Sequence, residues 1–164
     1  GRQNMLSVKL VQLVETHWEQ IGARILHRIQ SDPRLPHINR LSESELRGRA
    51  REVLNHIGDW LEVSRDEPLA RRSEALGRER FEEGIPLHEA VLARFIIKEG
   101  LIEFVRDHAF VETSFQLYAE GELEKRIADL FDRMIYYVVR GYEEAMREVH
   151  EHEHEHAVAG HRRY

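Results

Sequence analysis

The chain has 164 residues, 41% of them hydrophobic and a third charged, which is enough apolar material for one domain with a real core and too little length to expect two. Its formal net charge is −6, and Arg47, Arg49, Arg51, Arg71, Arg72, Arg78 and Arg80 are interleaved with carboxylates, which argues against a nucleic-acid surface. There is no cysteine to supply a disulfide, a thiolate nucleophile or a cysteine zinc site, and no apolar run nears the roughly 18 residues that span a bilayer. These features predict a cytoplasmic protein without membrane or nucleic-acid partners. The chain opens on Gly1 rather than methionine, so Met5 is the expected native start.

Val11, Val14, Trp18, Ile21, Ile25 and Ile29 recur every three or four residues and predict a first helix over about Leu6 to Gln30. Ser31, Asp32, Pro33 and Pro36 stop it. Ser42 followed by Glu45 reads as a capping box for a second amphipathic helix carrying Leu46, Ala50, Val53, Ile57, Trp60 and Leu61. Asp66 and Pro68 offer a cap and a first-turn proline for a third helix that ends near Glu83. Its apolar face is thin, with Leu69, Leu76 and Phe81, while Ser73 and Gly77 at i,i+4 allow another helix to approach closely. Gly84 can take the left-handed conformation that ends this helix, and Pro86 suits the first turn of the next.

The fourth helix, Pro86 to about Ala109, is apolar on most sides and is expected to be the central, most buried element. Thr113 or Ser114 can cap a last helix with the stripe Leu123, Ile127, Leu130, Met134, Val138, Gly141 and Ala145. If that helix runs unbroken to His156 it is about 60 Å long, more than the width of a domain this size, so part of it should project. The expected architecture is all-α: a single bundle of about five helices over residues 1–149, globin-like in size, with a polar His/Glu-rich tail over 150–164.

Three groups of residues invite a chemical reading. The tail His150 to His156 formally matches the zinc-protease pattern H-E-x-x-H, but the match follows from simple alternation and lacks a third rigid ligand. The expectation is a solvated tail, with weak adventitious metal binding through the i,i+4 pairs His150/His154 and His152/His156. Lys98 shares a helical face with Val91, Phe95, Ile102 and Val105, where it can snorkel, pair with a carboxylate or meet an anionic ligand. Arg94 lies one turn earlier on the same side. Phe131 and Tyr137 on the last helix complete a speculative pocket with Lys98 between the fourth and fifth helices. Among the scattered histidines, His17, His27, His56 and His88 read as packing-margin or surface residues rather than haem ligands. No catalytic triad, phosphate-binding glycine loop or paired-carboxylate motif is readable, so neither an enzyme nor a cofactor is expected.

Trp18 in the first helix, Leu76-Gly77-Arg78, Phe81 to Pro86 running into an apolar helix, and the helix from Phe131-Asp132 to Gly141-Tyr142 carry a family resemblance. Over about Leu6 to Arg147 the chain resembles the N-terminal sensor domain of RsbRD-type regulators, a helical family of sigma-factor control and stressosome-like proteins. The resemblance implies a non-catalytic bacterial sensory or scaffolding module, usually fused to an output domain, whose relatives are globin-like without haem and dimerise through their helices. It supplies no catalytic residues. This chain departs from the fused pattern in ending soon after the last helix, so its output domain has either been removed or is replaced by a partner protein. The leading reading is a sensory or regulatory domain that forms a homodimer through its long last helix and contacts an output or stressosome-like protein. The alternative is a small-molecule or tetrapyrrole binder with its pocket near Lys98, Phe131 and Tyr137.

Overall fold

The computed structural model describes residues 2–62, 66–108 and 114–162. They form five α-helices: α1 (Arg2–Ser31), α2 (Glu43–Glu62), α3 (Glu67–Glu82), α4 (Leu87–His108) and α5 (Ser114–Arg162), with one 3₁₀ turn (Ile38–Arg40) between α1 and α2. Neighbours run in the order α2, α1, α4, α5, α3, and the two ends of this series, α2 and α3, come together over α4. The core is continuous through all five helices, with Ile21, Ile25, Leu101, Ile127, Leu130 and Phe131 fully enclosed.

The local signals explain the boundaries. Ser42 Oγ accepts the Glu45 N–H at 3.2 Å, which satisfies one of the free donors at the start of α2. At the other joint Gly84 has φ 75°, its N–H donates to Phe81 O, and the Ile85 N–H donates to Arg80 O, both at 3.0 Å. These two bonds are the pair that closes a helix on a left-handed residue. Ile85 then tucks into the core, and its carbonyl accepts the Tyr142 hydroxyl of α5 at 2.7 Å, so the α3–α4 joint is pinned to the last helix.

Two expectations are corrected. α1 is not uniformly helical: His17 has φ −123° and ψ 17°, and its ring packs against Phe104 and His108 of α4, with centroids 5.4 and 5.3 Å away. Asp66 does not cap α3 with its side chain. Its carboxylate instead bonds Arg133 and accepts the Tyr137 hydroxyl at 3.4 Å, tying the start of α3 to α5. Of the two caps proposed for α5, Thr113 lies outside the described residues, and Ser114 is already helical.

The closest approach in the molecule is between α3 and α5. A Cβ on Gly77 would sit 2.0 Å from the Val138 carbonyl oxygen, and one on Gly141 would sit 2.0 Å from the Glu74 carbonyl oxygen. Both positions therefore require glycine, and Ser73, also fully buried, completes the small-residue seam. The thin apolar face of α3 suffices because backbone contact replaces side-chain packing there.

α5 leaves this body. Its last buried residue is Ala145, yet it stays helical to Arg162, so the tail expected after residue 149 is a continuation of the helix. Forty-nine residues at 1.5 Å each make it roughly 70 Å long, against about 40 Å for the width of a globular body of this chain length.

Candidate functional site

Where α2 and α3 meet over α4 they leave a cavity of about 60 Å³. Its walls are mostly aliphatic, with Leu46, Val53, Leu76 and Ile97 among them and Trp60 at one side, but four guanidinium groups also line it: Arg49 from α2, Arg72 and Arg80 from α3, and Arg94 from α4. Three of these have carboxylate partners. Arg49 makes a two-pronged bond to Glu83 at 2.9 and 3.0 Å, Arg80 donates to the same carboxylate at 2.7 Å, and Arg72 pairs with Glu52. These pairs also bridge α2 to α3 and to the residue that ends α3.

Arg94 differs. The residue is 94% buried, its Nη1 reaches only the carbonyl of Ala90 on its own helix at 3.3 Å, and its Nε meets no hydrogen-bond acceptor among the described residues. Burial, reinforced by the nearby charges of Arg80 and Arg49, pushes its pKa down to about 9. Burial and Arg49 also lower that of Arg80. The cavity is therefore a mostly apolar space whose lining carries an excess of positive charge, four arginines against Glu52.

The rim is held by a buried carboxylate. Glu89, on the first turn of α4, is fully enclosed. It accepts the backbone N–H groups of His37 and Ile38 at 2.9 and 3.2 Å, and its other oxygen lies 2.5 Å from His37 Nδ1. Ile38, which this carboxylate positions, lines the cavity together with Leu41, whose N–H donates to the Ile38 carbonyl. Sequence reasoning placed Arg94 near an acidic ligand but overlooked Glu89 and Arg80. The available signal was that α4 is apolar nearly all round, so a charge anywhere on its inner turns has to be buried.

The residues singled out from the sequence fall elsewhere. Lys98 lies at the margin, 4.0 Å from Asp132 and 5.2 Å from the centre of the Phe95 ring. Phe131 is fully buried in the core, and Tyr137 is occupied with Asp66. None of the three lines the cavity, which sits between α2, α3 and α4 rather than between α4 and α5. In the tail, His150, His152, His154 and His156 are all exposed on the helix. His152 and His156 stack edge to face at 5.1 Å and His150 lies 3.9 Å from Glu153. Among the described residues no group of three or more potential ligands is placed to hold a metal ion. No described helix is long and apolar enough to cross a membrane.

The fold is that of the globins. The ferric globin domain of E. coli DosC matches with a TM-score of 0.61 at 14% sequence identity, over 82% of this chain and 88% of that one. The cavity between α2, α3 and α4 does not fit a haem. Cavities that enclose large organic ligands are about 300–1,000 Å³, against about 60 Å³ here, and guanidinium groups line the walls. The one histidine in the lining, His56, is stacked on Trp60 at 5.3 Å rather than presented as an axial ligand. A search of curated proteins gives no match. The family model for the RsbT co-antagonist protein rsbRD N-terminal domain matches residues 19–157, which takes in the later part of α1, all of α2 to α4 and nearly all of α5. The chain belongs to this family of regulatory domains, the RsbT co-antagonist protein rsbRD N-terminal domain.

Proposed function

We propose that the protein is a non-catalytic, cytoplasmic input domain of a sigma-factor regulator, working as a homodimer and passing a change in the α2–α3–α4 cavity to the far end of α5. The observation that carries this reading is the projection of α5 beyond Ala145. Helices in proteins draw most of their stability from packing an apolar face, yet every described side chain from 146 to 160 is exposed, Met146, Val149 and Val158 among them. A helix of that kind is stabilised by a partner, and a second copy brings an identical helix by two-fold symmetry. Exposed aromatics also mark the body. Tyr118 and Tyr136 lie about five turns apart on one side of α5, and Phe95 of α4 is tied to that helix through Lys98 and Asp132.

The link from cavity to α5 is α3, whose two faces do different things. Arg72, Leu76 and Arg80 line the cavity, whereas Glu74 and Gly77 meet α5 with backbone touching backbone. Arg78 extends the contact with two bonds to Glu148 at 2.8 and 3.2 Å. A ligand that parts α2 from α3 thus moves a helix with no slack against α5. The signalling partner is an output or stressosome-like protein engaged by the projecting end.

Sedimentation velocity tests the dimer. At micromolar concentration the wild-type chain should run as a dimer, and Tyr136→Glu should weaken association about tenfold or more by placing a charge in the buried face, with no loss of helical content. A wild-type chain that stays monomeric across that range contradicts the reading.

A further inference from the structure

We infer that the cavity between α2, α3 and α4 is a binding site for a small aliphatic monocarboxylate, with Arg94 as the group that holds its carboxylate. Three observations converge. Arg94 is almost wholly buried and its Nε–H lacks an acceptor, although buried polar groups are almost always hydrogen-bonded. No nearby carboxylate is bonded to Arg94: Glu83 serves both Arg49 and Arg80, Glu52 serves Arg72, Glu89 holds His37 and Ile38, and Glu79 is exposed on α3 and acts on Arg94 only through its charge. The remaining walls are aliphatic or aromatic, so they suit a hydrocarbon tail and no second charge.

The size sets the class. About 60 Å³ is room for about two waters at ~30 Å³ each, and less than half of the ~150 Å³ that encloses a benzene ring. A carboxylate with one or two carbons behind it fits, and its two oxygens match the parallel N–H groups of a guanidinium. A phosphate dianion offers no apolar part and costs more to dehydrate. The lowered pKa of Arg94 agrees with a cation short of counter-charge, and a bound carboxylate would return it toward the ordinary range. That the ligand's arrival is the signal felt at α5 rests on the reading given above. Binding itself does not.

The test uses acetate on the whole chain at constant ionic strength, with sodium chloride as the balancing salt. The two tryptophans are Trp18 and Trp60, and Trp60 lines the cavity, so the Trp18→Phe variant makes its fluorescence a local reporter. The melting temperature and the Trp60 signal should both respond saturably to acetate. Arg94→Met should melt higher than wild type without acetate, by about 3 °C or more, since it removes an unpaired buried charge. It should also lose at least 30-fold in acetate affinity. Arg94→Lys keeps the charge but loses the fork, and should bind at an intermediate level. A linear response that chloride reproduces, or an Arg94→Met response equal to wild type, would overturn the proposal, because the space would then hold only water. Running the titration on Tyr136→Glu as well keeps a failure of binding separate from a failure of dimerisation.

Discussion

Replacing Gly141 by alanine should destabilise the domain by about 3 kcal/mol or more, although the same change at an exposed helical glycine stabilises by up to about 1 kcal/mol. The reason is the absence of space. The added Cβ would lie 2.0 Å from the Glu74 carbonyl oxygen and 2.7 Å from its Cα, both fixed in the backbone of α3, so no rotamer change can relieve it. Gly77→Ala should behave alike, since its Cβ would meet the Val138 carbonyl oxygen and the Tyr142 amide nitrogen. At Gly48 and Gly121 nothing lies within 4 Å of where a methyl group would sit, so these two positions serve as controls, for which alanine should raise stability. Urea denaturation of the four variants reads the sign directly. A neutral Gly141→Ala would mean that α3 and α5 do not touch along their backbones, and with that the route from cavity to output helix would fail.

Glu89→Ala should cost about 3–4 kcal/mol. The substitution removes a fully buried carboxylate and leaves the His37 and Ile38 N–H groups without the acceptor they share. Glu89→Gln retains one acceptor oxygen and should lose less, about 1–2 kcal/mol. Because the carboxylate fastens the segment that forms one wall of the cavity, the amides of residues 37–41 should also exchange faster with solvent in Glu89→Ala, ahead of global unfolding. Urea denaturation with amide exchange measures both. A loss under about 1 kcal/mol with unchanged exchange would show that the carboxylate is not what holds the turn.

Much of the fold was legible because its signals are local. The stripes of α1, α2 and α5, the Ser42 cap and the Gly84 stop each depend on residues within a turn or two of one another, and the i,i+4 pair Ser73 and Gly77 allows a close helix approach without naming the helix, which is α5 at Gly77. Features set by distant partners could not be read this way. The irregular backbone at His17 coincides with its packing on Phe104 and His108 of α4, and Asp66 leaves its capping role for Arg133, 67 residues away. The candidate site was half legible for a related reason. On a helix as apolar as α4, periodicity does not choose a face. The sequence therefore marked Lys98 as the odd residue, and only the assembled helices show that Arg94 and Glu89 turn inward while Lys98 stays at the edge beside Asp132.

Two copies of α5 running together beyond the body are what the proposed signalling requires, and a distance measurement between them addresses this most directly. The chain contains no cysteine, so a single Glu151→Cys substitution gives one spin-label site per chain on the exposed part of α5. Helices in contact have axes about 8–10 Å apart, so two labels at the same position of paired helices should give a narrow distance distribution within roughly 15–35 Å by pulsed dipolar spectroscopy. That result is predicted for the wild-type background and should fade in Tyr136→Glu. A featureless decay at concentrations where the protein is well folded would contradict the pairing of the two helices.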